Sequence, residues 1–423
     1  MMLNSNKPKI RFKGFNDDWE KRKFDEVVIR ISTGLNPRDN FILNNGGKNY
    51  YVTIKNFTHG HLMLDSNCDM IDDSALEMIQ QRSDLQKDDI LFTSIGRIGD
   101  CYLIKSKPKN WNINESVFTF RPNKKIVEPE YLFHTIHSDS VLDQIMNNIT
   151  GSTFKSIKIA DLKNADIPIT SKDEQIKLSQ FISNIDNLIT LHQRKYEKLV
   201  NIKKSMLEKM FPKNSSKRPE IRYKGFTEDW EQRKLSSIAS MHARIGWQNL
   251  RTSEFLDNGK YLLITGTDFI DGRIDYSSCH YVEKKRYDQD RNIQVSNGSI
   301  LITKDGTLGK VALIQGLSKP ATLNAGVFNV LPLNKNNTDT NYLFQYLKAP
   351  FLLDYVNKKA TGGTIKHLNQ NILVDFPINT PNVNEQAKLG RIFYELDNLI
   401  TLHQSKYNKL IELKKSLLKK MFI

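Results

Sequence analysis

The sequence predicts an α+β protein: two tandem mixed α/β domains separated by two long antiparallel, coiled-coil-like helices, the whole pseudo-two-fold symmetric. Three observations carry that expectation. The 423-residue chain repeats itself at half its length. Short β-prone runs crowd the interior of each half, and each half closes on a long amphipathic stretch. The repeat sets the boundaries at 1–171 for the first domain, 172–212 for its helix, 213–382 for the second domain and 383–423 for the last helix.

The duplication is read directly. IRFKGFNDDWEKRKF at 10–24 returns as IRYKGFTEDWEQRKL at 221–235, with 10 of 15 positions identical. The stretch 182–211 returns at 393–422 with 19 of 30 identical, and both pairs are displaced by 211 residues. Fainter echoes keep nearly that offset: ILFT at 90–93 with ILIT at 300–303, TGSTFK at 150–155 with TGGTIK at 361–366, and Glu174-Gln175 with Glu385-Gln386. The ends of each half match closely, whereas 25–170 and 236–380 match only at isolated framework positions. Two similar frames thus carry two different inserts, as expected if the frames share one task and the inserts perform variants of another.

Within the inserts, Tyr51–Ile54, Ile90–Ser94, Val117–Phe120, Tyr261–Ile264, Ile300–Thr303 and Val327–Val330 read as strands among Gly, Asn and Asp turn signals. Residues 129–147 and 339–357 carry apolar residues at helical spacing. Each half then closes on its long helix. Asp173-Glu174 and Asn384-Glu385 supply the opening signals and Pro212 the stop of the first helix. The first runs for about 38 residues without Gly or Pro, roughly 55 Å at 1.5 Å per residue.

A heptad seam runs along each helix. Ile182, Ile185, Ile189, His192, Tyr196, Leu199, Lys203, Met206 and Met210 alternate in steps of three and four; Phe393, Leu396, Ile400, His403, Tyr407, Leu410, Lys414, Leu417 and Met421 repeat the pattern. Leu188, Leu191, Ile202 and Leu207 widen the stripe beyond what a two-stranded coil needs. The helices are expected to pack on each other, with something else on the flank.

Composition narrows the function classes. Lys plus Arg number 62 against 47 Asp plus Glu, a formal charge of +15, which favours a polyanionic partner, nucleic acid first. Three scattered cysteines, Cys68, Cys101 and Cys279, suit neither a disulfide scaffold nor a zinc site and point to a reducing cytoplasm. MMLNSNKPKIRF lacks the apolar core of a signal peptide, and no window approaches a membrane span. Catalytic motifs are missing as well. Gly306-Thr307-Leu308-Gly309-Lys310 has the wrong spacing for a phosphate loop, Asn36-Pro37 is followed by Arg38 rather than the Pro and aromatic of adenine methylation, and His59-Gly60-His61 has no further metal ligands nearby. The expectation is a binder, with no catalytic, metal or cofactor site of its own, that lends specificity to catalysis performed elsewhere.

Trp19-Glu20 and Trp230-Glu231, TGST and TGGT, the Glu-Gln openings and the two DNLITLHQ helices, in this order and repeated at one offset, resemble the specificity subunit of type I restriction-modification enzymes over essentially the whole chain. The resemblance implies two target-recognition domains, each reading half of a bipartite, asymmetric target in double-stranded DNA, with the helices setting the spacing and docking two copies of a modification (methyltransferase) subunit. It implies that S-adenosylmethionine, ATP and magnesium belong to partner subunits, among them ATP-dependent restriction or motor subunits. The runner-up class is a self-sufficient methyltransferase or nuclease with an unrecognised catalytic segment, and a third is a helical scaffold whose charge only solubilises it.

Candidate DNA contacts lie on the inserts, where base reading calls for Arg, Lys, Asn, Gln, Ser and Thr. In the first domain they are Thr33, Asn36, Arg38, Arg97, Lys155 and Lys158; in the second, Arg244, Trp247, Gln248, Lys304, Lys310, Thr364, Lys366 and His367. Arg97 and Lys304 occupy Gly-bearing turns directly after framework strands. The paired Trp19 and Trp230 are expected to anchor cores rather than stack on bases. Helix pairing is assigned to Ile182, Ile185, Ile189, Tyr196, Leu199 and Met206 against Leu396, Ile400, Tyr407, Leu410 and Leu417.

Overall fold

A computed structural model describes residues 7–58, 60–147, 155–213, 216–245, 250–304, 308–359 and 368–423. The chain divides into two compact units, residues 1–193 with 405–423, and residues 194–404. The long helices, Lys172–Lys209 and Val383–Met421, therefore do not stand apart as domains: each unit takes a stretch of both. The physical reason is the apolar stripe, which an isolated helix would leave in water.

In the first unit a four-stranded antiparallel sheet runs in the order Val28–Thr33, Val117–Pro122, Ile90–Thr93, Cys101–Leu103. Beside it Asn49–Val52 pairs antiparallel with Asp69–Ile71 and parallel with Trp111–Ile113. The matching segment Glu20–Lys23 pairs antiparallel with Asp166–Ile169, closing the insert at its two ends. The second unit repeats the plan: Ala239–Ala243, Val327–Pro332, Ile300–Thr303 and Val311–Leu313 form its sheet, and Glu231–Lys234 pairs with Pro377–Thr380.

The two expected helical stretches are each interrupted. Pro129–Ile136 and Asp139–Asn147 replace 129–147, with the Ser138 hydroxyl donating to the Thr135 carbonyl at the break. Thr340–Lys348 and Pro350–Lys359 replace 339–357, because Pro350 disfavours helical geometry at Ala349.

Each core is built around its tryptophan and sealed by the end of a long helix. In the first unit Trp19 is 1% exposed, and Phe422 stacks on Tyr131 with centroids 5.6 Å apart and meets the Trp19 edge at 6.3 Å. In the second, Phe211 stacks on Tyr342 at 6.0 Å and meets Trp230 at 6.0 Å. The same polarity of helix pairing follows inside each unit. Phe422 lies near the Trp19 indole, which donates to Glu174 at the start of the first helix, while Lys414 pairs with Asp186 three turns on. Phe211 meets Phe393, and Lys203 meets Asp397. Both pairings are antiparallel. Ile182, Ile185, Ile189, Leu410 and Leu417 share the first core, Met206 and Leu396 the second, whereas Tyr196, Leu199, Ile400 and Tyr407 are half-buried along the seam. The second helix tolerates Gly390 because a Cβ there would lie 2.6 Å from the Tyr342 amide nitrogen.

Candidate nucleic-acid interface

In each unit one end of the four-stranded sheet gathers the chain exits that carry the expected contacts. In the first unit Thr33 pairs with Phe118, Phe118 with Phe92, and Val117 with Thr93, so the exits after Thr33 and Thr93 leave side by side. In the second, Ala243 pairs with Phe328, Phe328 with Ile302, and Val327 with Thr303.

The turn between the sheet's last two strands is closed the same way in both units. The Thr93 amide donates to the Asp100 carbonyl at 3.0 Å, Gly99 returns a bond to the Thr93 carbonyl at 3.1 Å, and the Asp100 amide donates to the Thr93 hydroxyl at 3.0 Å. The corresponding bonds, Thr303 to Lys310, Gly309 to Thr303 and Lys310 to the Thr303 hydroxyl, are all 2.9 Å. Gly99 and Gly309 sit at φ +97° and +72°, where a side chain is strained. A second segment runs alongside. Gly96 donates to the Lys155 carbonyl at 3.2 Å and Ile157 to the Ser94 carbonyl at 3.0 Å, and in the second unit Leu368 donates to the Lys304 carbonyl at 2.8 Å. The backbone matches while the side chains do not: Ser94 stands where Lys304 does, and Asp100 where Lys310 does.

The expected contacts fall into three groups. Thr33, Arg97, Lys155 and Lys158 are brought to the first sheet end, and Lys304 and Lys310 to the second. Lys155, Lys158 and Lys310 are exposed, and the Lys304 ammonium lies 5.6 Å from the Phe328 ring centroid. Asn36 and Arg38 follow Thr33 in a turn in which Asn36 accepts from Asn40 at 3.0 Å; Arg38 is exposed. Arg97 is less free than its turn suggested, because its guanidinium donates to the carbonyls of Ile54 at 3.0 Å and Phe57 at 2.6 Å. Trp247, Gln248, Thr364, Lys366 and His367 lie outside the described residues, as does His59.

Arg244 corrects the sequence expectation. It is 2% exposed, and its guanidinium donates to the Leu323 carbonyl at 2.9 Å, the Thr322 hydroxyl at 3.3 Å and Gln289 at 3.3 Å. In the first unit Gly34 packs its backbone directly on the matching Ile113 carbonyl; a Cβ there would come within 1.7 Å. Arg244 is therefore an internal brace, and burial, followed by repulsion from Arg286, pulls its pKa below the arginine range.

The roles of other residues escaped the sequence reading. Glu174 and Glu385, fully buried, take bidentate bonds from Arg11 at 2.7 and 2.8 Å and from Arg222 at 2.8 Å for both contacts. Gln175 and Gln386 accept the amides of Glu128 and Asp339 at 2.7 and 2.9 Å, fixing the next helix of each insert. This explains the Glu-Gln openings. The seam lysines are also answered: Lys414 pairs with Asp186 at 2.7 Å and Lys203 with Asp397 at 2.6 Å, where Gln345 and Lys348 join at 2.8 and 3.2 Å. Burial would raise the Asp397 carboxyl, but Lys348 and Lys203 outweigh it and hold the pKa down. Where the second unit has Gln345 and Lys348, the first has His134, bonded to Ser183 at 3.0 Å, and His137, bonded to the Phe133 carbonyl at 2.8 Å. Burial, with Lys414 nearby, depresses both imidazoles, His134 most.

Among the described residues no group of three or more His, Cys, Asp or Glu could hold a metal ion, and no helix is long and apolar enough to cross a membrane.

A family model described as Type I restriction modification DNA specificity domain matches the chain twice, at residues 16–201 and 227–413. The chain is 24% identical over 418 residues to a putative type I restriction enzyme MjaX specificity subunit of Methanocaldococcus jannaschii, covering 95% of this chain and 92% of the relative. It is 25% identical over 146 residues to the EcoR124I/EcoR124II specificity subunit of Escherichia coli, 34% of this chain and 36% of the relative. Among solved structures, the S subunit of a type I restriction-modification system from M. genitalium matches with a TM-score of 0.65 at 18% identity, over 99% of both chains, a likeness of fold.

Proposed function

The chain belongs to the type I restriction-modification DNA specificity family, and from that premise we propose that each unit reads one half of a bipartite, asymmetric target in double-stranded DNA. The observation that supports this reading most is the shared sheet end: one backbone closure, two different sets of side chains. Equal frames with unequal reading groups are what two unequal half-sites require. Exposed Lys155, Lys158 and Lys310 suit phosphate attraction, which supplies affinity without sequence information. Arg97, Lys304, Thr33 and Asn36 stand beside them as candidates for base edges.

The long helices set the separation and dock two copies of a modification subunit. Leu188 and Leu191 in the first unit, and Leu399 and Leu402 in the second, exposed by 43–46%, each leave an apolar flank that a partner copy would cover. Methyl transfer from S-adenosylmethionine belongs to that subunit, and ATP- and magnesium-dependent cleavage to restriction subunits, in the cytoplasm. Incubating the purified chain alone with DNA, magnesium and S-adenosylmethionine should give neither methylation nor cutting; either product would favour a self-sufficient enzyme. The main test replaces residues 25–170 with the matching insert of a relative and maps methylated sites in the assembled enzyme. One half of the motif should change. A change in both halves would overturn the assignment.

A further inference from the structure

We propose that Thr93 and Thr303 are positioning residues for DNA specificity, holding in shape the turns that present the reading side chains. Both are fully buried in the sheet, so neither touches DNA. The Thr93 hydroxyl accepts the Asp100 amide at 3.0 Å and donates to the Arg97 carbonyl; the Thr303 hydroxyl accepts the Lys310 amide at 2.9 Å. One hydroxyl offers a proton and two lone pairs, so Thr93 ties the return of its turn and its middle at once. The tied middle is the residue whose guanidinium spans to Ile54 and Phe57.

The strand does not need that hydroxyl. Valine has the same shape and strand preference, and the main-chain bonds between Thr93 and Asp100, and between Thr303 and Lys310, already close the ladder. What valine would lose is the second tie across the turn. The sequences 93–99 and 303–309 both spell T-x-x-G-x-x-G, while the positions between these residues differ. The closing threonines and the glycines at 99 and 309 recur, whereas Ser94 and Lys304, and Asp100 and Lys310, differ beside them.

The inference rests on the reading that each unit recognises one half-site, and the experiment separates the two. T93V, T93A, T93S and T303V are made in the full chain, assembled with the modification subunit, and methylated motifs are mapped. T93V and T93A should raise methylation of sites mismatched in the first half by about tenfold, the loss of roughly one buried hydrogen bond, leaving the second half untouched. T303V should do the converse, and T93S, which keeps the hydroxyl, should retain the parental motif. In the free chains, hydrogen exchange at the residue 100 amide of T93V and T93A should quicken while the strand 101–103 stays protected; this readout holds even for a variant that assembles poorly. Full discrimination in T93V and T303V, or T93S relaxed as far as T93V, would overturn the positioning role. Relaxation of the second half-site by T93V would instead break the one-unit, one-half-site reading.

Discussion

The two sheet ends differ in charge on one backbone. In the first unit Arg97 spends its guanidinium on carbonyls of its own domain and lies 3.5 Å from Asp100; in the second, Lys304 and Lys310 occupy the positions of Ser94 and Asp100. The frames behave oppositely: Arg11–Glu174 and Arg222–Glu385, or Asp186–Lys414 and Asp397–Lys203, recur almost atom for atom. Matched polar pairs such as Arg11–Glu174 and Arg222–Glu385 act as braces, but a mismatch alone does not mark a reading position. Gly34 and Arg244, or His134 and Gln345, differ inside the units, whereas Asp100 and Lys310 differ where the turn meets solvent.

The largest expected effect tests which helix end seals which unit. F211A should cost about 3–5 kcal/mol and lower hydrogen-exchange protection around Trp230, while leaving the Trp19 core intact; F422A should do the reverse. Loss of protection around Trp19 in F211A would break the division into units.

Next come the carboxylate braces. E385A strands Arg222 and should cost about 3 kcal/mol, read by urea unfolding. E174A should cost roughly 1 kcal/mol more, because Glu174 also accepts from Trp19 at 3.2 Å and from Thr170, whereas the Trp230 indole nitrogen has no hydrogen-bond partner among the described residues. Equal losses would show the extra bonds contribute nothing.

Acid should separate the units by less. His134 and His137 have depressed pKa values in the folded state, burial first among the causes, so below pH 6.5 the unfolded chain binds protons that the folded one refuses. Stability of the first unit is therefore present above that pH and falls as pH drops through it, by at most about 1.4 kcal/mol per group per pH unit. The second unit has no histidine at the two matching positions, which are Gln345 and Lys348. Hydrogen exchange at pH 5 and 7.5 should find the first unit loosened and the second unchanged, and H134Q should reduce the difference.

The smallest effect sharpens the charge contrast. D100K should tighten DNA binding by the assembled enzyme and steepen its salt dependence by roughly one unit of slope, and K310D should flatten it by a similar amount or more. Unchanged slopes would remove both positions from the phosphate path.

Much of the fold was legible because it rests on local periodicity and on repetition. Strands such as Ile90–Thr93 and Ile300–Thr303, the long helices and the core tryptophans all follow from apolar spacing at matched positions. The seam lysines were visible as anomalies, but their partners were not, since Asp186 and Asp397 sit beside the apolar stripe and resemble solvated residues until the other helix arrives. Arg244 was misread for the converse reason: a basic residue after a strand looks exposed unless one knows that Leu323 leaves a carbonyl to be satisfied.

By itself, then, the sequence determined the duplication, the order of elements and the confinement of difference to the inserts, because hydrophobic period and repeat are properties of neighbours along the chain. Only the tertiary structure decided which charges face outward and which are consumed inside. Arg244 and the two glutamates carry the same formal charges buried or exposed, and burial depends on carbonyls, amides and guanidinium groups brought from distant positions, 79 residues away for Arg244 and 163 for Glu174. A charge taken from water persists only where such partners satisfy it, and no local pattern announces them.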